Sequence, residues 1–351
     1  MQYGKNHSTN QAGVFLTTIK EIAKQAGVSY STVSRALNNQ RGVRSDVREL
    51  IIKIAKDTSY FPHSSAKALV KNRVGVMGII ITRTGEFAFQ NPYYNQVLMG
   101  ISEVATRHEY NLMLSINEKK SYIASYLRRQ VDGVIVIGNR LDDELVADLE
   151  EKKVPAVVIP GFLEDSKIDI PSVNSENTRS VYRVVDYLIN LGHRKIAFIL
   201  GQMNSKYSVE RFRAYQMAFK DHGLAYDSRY IVESDFSKTD GSRMMGRLLD
   251  LLDRPSAVIC INDSVTPGAL SQIGSRGLKI PGDISVVAIG SSDVLDLYQP
   301  ALTTVKIPAA QIGQTASQML IQLIKNGHCP ERHVVIPSEL IIRDSTQACK
   351  E

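Results

Sequence analysis

The pattern of apolar and polar positions changes along the chain. Residues 18–26 and 29–37 each place apolar side chains three or four positions apart, which is typical of short amphipathic helices. From Gly75 onward, short runs of consecutive apolar residues alternate with helical patterns. Continuous hydrophobicity indicates strands that are buried on both faces, as in parallel sheets covered by helices. We therefore predict an all-α N-terminal segment followed by an α/β body.

The first two helices carry the start and stop signals of a helix-turn-helix. Thr18 is placed to cap the first helix, with Glu21 completing a capping box, and Gly27 supplies the positive φ that ends it. Ser29 can cap the second helix. The outer face of that helix has hydroxyls, an aromatic ring and a guanidinium but no acid, and consists of Tyr30, Ser31, Thr32, Ser34 and Arg35. Such a face suits the major groove of DNA, and the alternative is an ordinary αα-hairpin with a solvated polar face.

Charge is concentrated in the same segment. Residues 1–73 hold 12 of the 42 Lys and Arg residues but 4 of the 36 acids, a net charge of +8. The rest of the chain has 30 basic and 32 acidic residues, a net charge of −2. A basic head on a nearly neutral body is the electrostatic footprint of a protein that binds phosphates. Charge therefore favours the DNA-binding interpretation over the solvated hairpin.

The runs of apolar residues in the α/β body predict two sets of parallel strands. The strands of the first set are 76–82, 111–116, 133–137 and 156–159, and those of the second are 195–200, 257–262 and 285–289. Helices at 178–191 and 208–222 are closed by Gly192 and Gly223. Two such sets indicate two doubly wound subdomains with a ligand-binding cleft at their strand ends.

Length and cysteine content narrow the class of protein. A chain of 351 residues with 43% apolar content is too long for one ordinary core. Three scattered cysteines, with neither a signal-peptide pattern nor a membrane-length apolar run, predict a cytoplasmic protein. Residues 1–16 show no periodicity, and we expect them to be a disordered extension. Since no nucleotide-binding, zinc-protease or hydrolase motif is present, we predict neither an enzyme nor a cofactor.

The motifs also resemble a known family. TIKEIAKQAGVSYSTVSRALN at 18–38 and YFPHSSAKAL at 60–69 are similar to the headpiece and hinge of the LacI/GalR bacterial repressors. GVMGIII, VDGVIVIG, LGHRKIAFILG and PALTTVKI extend the resemblance to the end of the chain. The resemblance implies a helix-turn-helix headpiece and a periplasmic-binding-protein-like core of two doubly wound parallel-sheet subdomains. The expected divisions are a headpiece at 17–61, a hinge at 62–74, one subdomain at 75–174 and 306–335, and the other at 175–305 and 336–351.

The resemblance implies which residues contact the DNA. It implies that a hinge helix orders on the operator and that Leu69 enters the minor groove and kinks it. His63 and Lys67 stand where the family usually has asparagine and arginine. The resulting DNA-binding residues are Thr18, Ser29, Tyr30, Ser31, Thr32, Ser34, Arg35, Asn38, His63, Lys67 and Leu69.

The resemblance also places a small-molecule effector in the cleft. Arg211 in RFRAY matches the arginine that contacts ligand oxygens in the family. Asn262 and Asp263 end a buried strand where the family has polar ligand contacts. The loop after the first strand could supply an aromatic platform from Phe89, Tyr93 and Tyr94. The alternatives are a surface ion pair for Arg211, a helix cap for the Asn262–Asp263 pair and simple packing for the aromatic rings.

The interpretation is a homodimeric repressor of carbohydrate-utilisation genes that binds a pseudo-palindromic operator. FQNPYY at 89–94 and DFSKTDG at 235–241 look most like maltose-type regulators of Gram-positive bacteria. However, GSSD at 290–293 stands where most family members have an Asp/Asn pair, and Pro160-Gly161 stands where many have an Asp or Arg. Losing these acceptors would weaken the binding of sugar hydroxyls, so a ligand other than the family's usual sugars, or no ligand, is also consistent with the sequence. One alternative is a catabolite-control regulator whose co-effector is a phosphorylated carrier protein. Others are a sugar-binding transport protein, which needs a signal peptide, and a sugar-cleaving enzyme, which needs a carboxylate pair.

Overall fold

The structure, a computed structural model, describes residues 17–37, 40–58, 60, 73–116, 122–138, 140–141, 143–162 and 166–350. The chain divides between Val74 and Gly75 into two compact units, an N-terminal unit that contains the headpiece and a second unit that we call the core. Within the described ranges, no helix has both the length and the apolar character needed to cross a membrane.

The headpiece is built from three helices, α1 (Ile19–Ala26), α2 (Tyr30–Leu37) and α3 (Ser45–Asp57). Each helix contributes two buried apolar side chains at helical spacing to one small core. These side chains are Ile22, Ala23, Val33, Ala36, Ile51 and Ala55. Because the positions repeat every three or four residues, one face of each helix is buried and the other is left polar.

The core contains twelve strands among its described residues. They are β1 (Val76–Ile81), β2 (Asn111–Ile116), β3 (Gly133–Ile137), β4 (Ala156–Ile159), β5 (Ser172–Ser175), β6 (Ile196–Leu200), β7 (Ile231–Glu233), β8 (Ala257–Cys260), β9 (Ser285–Gly290), β10 (Thr303–Lys306), β11 (His333–Ile336) and β12 (Glu339–Ile341). All strands that were predicted from apolar runs are present, with ends shifted by at most two residues.

The strands form two six-stranded sheets. The first has the order β11-β5-β4-β3-β1-β2, and all its neighbours are parallel. The second has the order β12-β10-β9-β8-β6-β7, with β12 antiparallel to β10. We call the sheets and their helices the first and second subdomains. The predicted fold class, two doubly wound parallel sheets behind a helix-turn-helix segment, is confirmed.

Helices cover both sheets. In chain order they are α4 (Gly85–Gln90), α5 (Pro92–Arg107), α6 (Ala124–Leu127), α7 (Glu144–Glu151), α8 (Asn177–Asn190), α9 (Lys206–Asp221), α10 (Lys238–Leu249), α11 (Val265–Ser275) and α12 (Ala309–Asn326). Two short 3₁₀ helices lie at Ser228–Tyr230 and Asp293–Leu297. The chain passes from one sheet to the other after β5, after β10 and after β11.

The backbones of α5 and α12 pack in direct contact through two glycines. A Cβ atom on Gly100 would lie 1.9 Å from the carbonyl oxygen of Ala310, and one on Gly313 would lie 2.1 Å from that of Val97. No side chain fits at either position, so glycine is required for this close approach. The contact holds α12, which follows β10 of the second subdomain, against α5 of the first subdomain.

Candidate DNA interface and effector cleft

The ends of α1 have the predicted caps. The backbone N–H of Glu21 donates to Thr18 Oγ1 at 3.4 Å, and the N–H of Thr18 donates to Glu21 Oε2 at 2.6 Å. Gly27 has φ 66°, in the left-handed region that glycine adopts without a steric penalty. The predicted capping box and left-handed stop are therefore confirmed. Together they fix the length of α1 and the turn into α2.

The second helix presents the polar face that the sequence predicted. Ser29 Oγ accepts the N–H of Thr32 at 3.2 Å, which caps α2. Tyr30, Ser31 and Arg35 are exposed, with 53% of Tyr30 accessible. Thr32 and Ser34 are half-buried and therefore face outward less than predicted. An exposed tyrosine, serine and arginine on one short helix can donate hydrogen bonds to base edges and phosphates.

Arg48 of α3 holds the other end of α2. Its guanidinium donates to the carbonyl oxygen of Ala36 at 3.0 Å and to that of Gln40 at 2.5 Å. A cation at the C-terminus of a helix satisfies free carbonyls and matches the helix dipole. Sequence reasoning missed this residue, because its partners Ala36 and Gln40 are identified only by the structure. Arg48 thereby connects α3 to the C-terminal end of α2.

Several predicted DNA contacts lie outside the described residues. These are Asn38 and the three hinge positions His63, Lys67 and Leu69. The expected disordered segment 1–16 also lies outside them. The hinge helix and its minor-groove wedge therefore stay predictions.

The core contains a cleft with two adjoining chambers. The outer chamber has a volume of about 660 Å³ and the inner chamber about 70 Å³. Phe87 and Asn91 of the first subdomain line both chambers, and Phe236 and Asp263 of the second subdomain do so too. The cleft therefore lies between the subdomains, where the loops after parallel strands place ligand-binding groups.

Aromatic side chains bridge the two sides of the cleft. The hydroxyls of Tyr93 and Tyr207 are 2.9 Å apart, and the rings of Phe87 and Phe236 meet edge to face with centroids 5.9 Å apart. Burial raises the pKa of Tyr93 well above its ordinary value and that of Tyr207 to about 12. Both hydroxyls are therefore neutral donors and acceptors at physiological pH.

The aromatic platform differs from the predicted one at one position. Tyr93 and Tyr94 line the inner chamber, whereas Phe89 is 57% exposed and lines neither chamber. Phe87, which was not predicted, takes its place. Thr84 Oγ1 caps α4 by accepting the N–H of Phe87 at 3.3 Å, which sets where the helix begins. With this beginning, the Phe87 side chain points into the cleft and that of Phe89, two residues later, points to solvent.

Arg211 lines the inner chamber. It is 6% exposed, so the alternative of a surface ion pair does not describe it. Its Nε donates to Asn177 Oδ1 at 3.0 Å and its Nη1 to the carbonyl oxygen of Ile261 at 2.8 Å, while the guanidinium lies 5.4 Å from the centre of the Tyr207 ring. Burial lowers the pKa of Arg211 from its ordinary value. These partners fix the direction of its fork.

Asn262 and Asp263 also line the inner chamber, but their oxygens are used within the chain. Asn262 Oδ1 accepts the N–H of Val265 at 2.7 Å, so the residue caps α11, as its alternative interpretation held. Asp263 accepts hydrogen bonds from the N–H and hydroxyl of Ser291 at 2.9 and 3.2 Å and from the N–H of Ser292 at 3.1 Å. Burial raises the pKa of Asp263, and these hydrogen bonds oppose the rise.

The structure adds residues that sequence reasoning did not identify. Arg83, two residues after the end of β1, lines the inner chamber beside the Tyr94 hydroxyl, and its buried Nε has no hydrogen-bond partner. An arginine so close to the end of a buried strand was the signal for it. The outer chamber has a polar lining, which includes Thr84, Glu86, Gln90, Asp235, Ser237, Lys238, Thr239, Ser264 and Ser292. This lining can bond to many hydroxyl groups of a ligand.

Comparison with known proteins gives matches over both units. The family model of bacterial regulatory proteins, lacI family, matches residues 18–63, and that of the periplasmic binding protein-like domain matches residues 185–346. The HTH-type transcriptional repressor CytR of Escherichia coli (strain K12) is 30% identical over 336 residues, which are 94% of this chain and 96% of the relative.

Solved structures are similar over nearly the whole chain. A lac repressor dimer bound to operator and the anti-inducer ONPF has a TM-score of 0.84 at 25% identity, covering 95% of this chain and 100% of that one. A complex of the transcriptional regulator CelR with cellobiose has a TM-score of 0.72 at 26% identity, covering 94% and 99%. The likeness therefore spans the headpiece and the core together.

Proposed function

We propose that this chain, which belongs to the lacI family of bacterial regulatory proteins, represses carbohydrate-utilisation genes by binding operator DNA as a homodimer. The observation that carries the proposal is the face of α2. Tyr30, Ser31 and Arg35 are exposed on a helix whose two ends are capped by Ser29 and Arg48. A helix held at both ends can present base-reading side chains with little loss of conformational entropy.

Each residue of that face has a proposed role. Arg35 contacts a guanine edge or a phosphate, and Tyr30 and Ser31 select bases. Thr18, Ser29, Thr32, Ser34 and Asn38 contact the DNA backbone or neighbouring bases. Two headpieces related by a two-fold axis require a pseudo-palindromic operator. Leu69 of the hinge enters the minor groove at its centre, with His63 and Lys67 nearby.

The core supplies the control. We assign the subdomains to 75–174 with 306–335 and to 175–305 with 336–351, with the headpiece at 17–61 and the hinge at 62–74. A carbohydrate bound in the cleft changes the angle between the subdomains, separates the hinge segments of the dimer and weakens operator binding. The CelR structure holds cellobiose, which supports a sugar as the effector class here. The finer proposal, a maltose-type regulator, rests on residues 89–94 and 235–241.

A second candidate is a catabolite-control regulator whose co-effector is a phosphorylated carrier protein. The small inner chamber favours it, because its volume of about 70 Å³ is well below the roughly 300–1,000 Å³ of usual ligand pockets. The outer chamber of about 660 Å³ favours a bound sugar instead. A pull-down with the phosphorylated carrier, using the unphosphorylated form as the control, discriminates the two.

The proposal is tested by the salt dependence of DNA binding. Since the segment 1–73 carries a net charge of +8 and occurs twice in a dimer, the logarithm of affinity should fall steeply with the logarithm of salt concentration. An affinity that does not change with salt concentration would show that the basic headpiece does not contact the DNA. A thermal-shift screen of mono-, di- and oligosaccharides then tests the effector class, because a ligand that binds only the folded state raises its melting temperature.

A further inference from the structure

We infer that the effector is a carbohydrate with an anionic group, a phosphate or a carboxylate, which binds in the inner chamber between Arg83 and Arg211. The inference rests on the proposed function and makes its ligand class more specific. It places the sugar ring in the outer chamber and the charged group in the inner one. Charge, hydrogen bonding and size each support this assignment.

Two guanidinium groups line one small chamber. Arg83 and Arg211 come from different subdomains, and both line the inner chamber. Among the residues that the structure describes, neither arginine forms a salt bridge, although Glu210 and Asp263 favour the charged form of Arg211. Two like charges that line one chamber repel each other in a medium of low dielectric constant. A ligand that brings a negative charge into the chamber would therefore interact favourably with both arginines.

The acid on the chamber wall does not supply that charge fully. Asp263 lines the inner chamber, and its two oxygens accept three hydrogen bonds from Ser291 and Ser292. Other described lining groups, such as Pro160, Tyr94 and Asn262, are neutral. The formal charge of the described lining residues, Arg83, Arg211 and Asp263, is therefore +1, and Glu210, which does not line the chamber, also favours the charged form of Arg211.

Hydrogen-bond donors point to the same ligand group. Arg83 Nε is buried and has no partner, while Arg211 uses Nε and Nη1 within the chain. A planar guanidinium with free donors matches the oxygens of a phosphate or carboxylate. A neutral hydroxyl can accept from one such donor but offers no charge in return. The open donor on Arg83 therefore favours an anion.

The two volumes fit a ligand of this shape. The inner chamber, about 70 Å³, has room for one compact group, and the outer chamber, about 660 Å³, has room for one or more sugar rings. The outer lining combines hydroxyl and amide groups with the rings of Phe87, Phe236 and Tyr298. Such a lining recognises sugar hydroxyls and the apolar faces of sugar rings.

The test compares matched neutral and anionic sugars on the full chain. Glucose, glucose 6-phosphate and gluconate, and maltose with its 6'-phosphate, are titrated by calorimetry against the wild type. The variants are Arg83→Gln, Arg83→Lys and the control Arg229→Gln, an exposed arginine paired with Asp227. At least one anionic sugar should bind roughly tenfold or more tightly than its neutral partner, as expected for charge-assisted hydrogen bonds. Arg83→Gln should abolish this preference, Arg83→Lys should retain part of it, and Arg229→Gln should leave it unchanged.

Three results would overturn the inference: a neutral sugar that binds as tightly as its anionic partner, no binding of any anionic sugar, or a wild-type preference in Arg83→Gln. Circular dichroism confirms that each variant is folded, and Arg83→Lys keeps the test valid if Arg83→Gln does not fold. Operator binding is measured on the same samples. Intact operator binding with a preference for neutral sugars would contradict this inference alone, whereas loss of specific operator binding by the wild type would contradict the proposed function.

Discussion

The hydroxyl oxygens of Tyr93 and Tyr207 lie 2.9 Å apart, although Tyr93 belongs to α5 of the first subdomain and Tyr207 to α9 of the second. Their rings meet edge to face with centroids 6.2 Å apart. This direct contact joins the two walls of the cleft at its inner end. A ligand that enters there has to adjust to this pair or separate it.

The pair should behave as one unit in unfolding experiments. Tyr93→Phe or Tyr207→Phe alone leaves a buried hydroxyl without its partner and should lower the free energy of unfolding of the core by about 1–3 kcal/mol. The double variant removes both hydroxyls and should lose less than the sum of the single losses. Urea denaturation followed by circular dichroism measures all four proteins. Strictly additive losses would mean that the two hydroxyls do not interact in solution.

Arg35 should contribute to operator binding and not to folding. Arg35 is exposed on α2, and if it contacts a base edge or a phosphate as proposed, Arg35→Ala should cost about 1–3 kcal/mol of operator affinity. Fluorescence anisotropy with labelled operator gives the affinity, and size-exclusion chromatography checks the dimer. The control Arg229→Ala removes an equal charge from an exposed site of the core. Equal affinities of Arg35→Ala and the control would exclude Arg35 from the interface.

Leu69 tests the hinge prediction, which lies outside the described residues. If it is buried only between unstacked bases, Leu69→Ala should weaken specific binding far more than non-specific binding and reduce the DNA bend. The melting temperature of the free protein should hardly change. Leu127→Ala, at an apolar side chain of the core that is 65% exposed, is the matched control. A variant that melts earlier yet bends operator normally would place Leu69 in a packed interior instead.

His193 predicts how the stability of the core depends on pH. Its ring is buried between Ser256 Oγ, 2.8 Å from Nδ1, and the carbonyl oxygen of Gln347, 3.0 Å from Nε2. Burial lowers its pKa below the ordinary value of 6.5. The unfolded chain therefore binds a proton more readily, so this contribution to stability is complete above pH 6.5 and is lost as the pH falls toward the lowered pKa.

Melting temperatures between pH 7.5 and pH 5 measure this effect. The wild type should lose stability on acidification, and His193→Gln should lose less, since it has no group that titrates there. His328→Gln, at an exposed position, should follow the wild type. If His193→Gln and the wild type have parallel pH profiles, another group is responsible for the acid sensitivity.

Most of the strands that sequence predicted are buried on both faces. β1, β3, β4, β6, β8 and β9 each contain a run of apolar residues, so their pattern is visible without tertiary information. β2 was also predicted, but its residues are exposed or half-buried, so the expectation of burial on both faces is wrong for this strand. By contrast, β5 has the sequence SVNS, and its serines and asparagine are buried. Ser172 is hydrogen-bonded to His333 and Asn174 to the N–H of Gly161. Such strands depend on partners distant in sequence and cannot be predicted from local composition.

The candidate site shows the same division. The caps of α1 and α2 are local, and residues 18–32 predicted them correctly. Phe89 was chosen instead of Phe87 because the facing of a six-residue helix depends on its first residue, which Thr84 sets. Arg83 was missed because its proposed role depends on what surrounds it in the cleft: its buried Nε has no hydrogen-bond partner, and Arg211 of the other subdomain lines the same chamber.

The most direct test of the account is a selection from a pool of random double-stranded DNA by the full chain at physiological salt. The account predicts enrichment of one pseudo-palindromic sequence, bound by a dimer with a dissociation constant in the range of roughly 10⁻⁸–10⁻¹¹ M. The same selection with a Tyr30/Ser31 double variant should return an altered sequence at the bases read by α2. No enrichment by the wild type, or the same consensus from both proteins, would contradict the claim that α2 reads an operator.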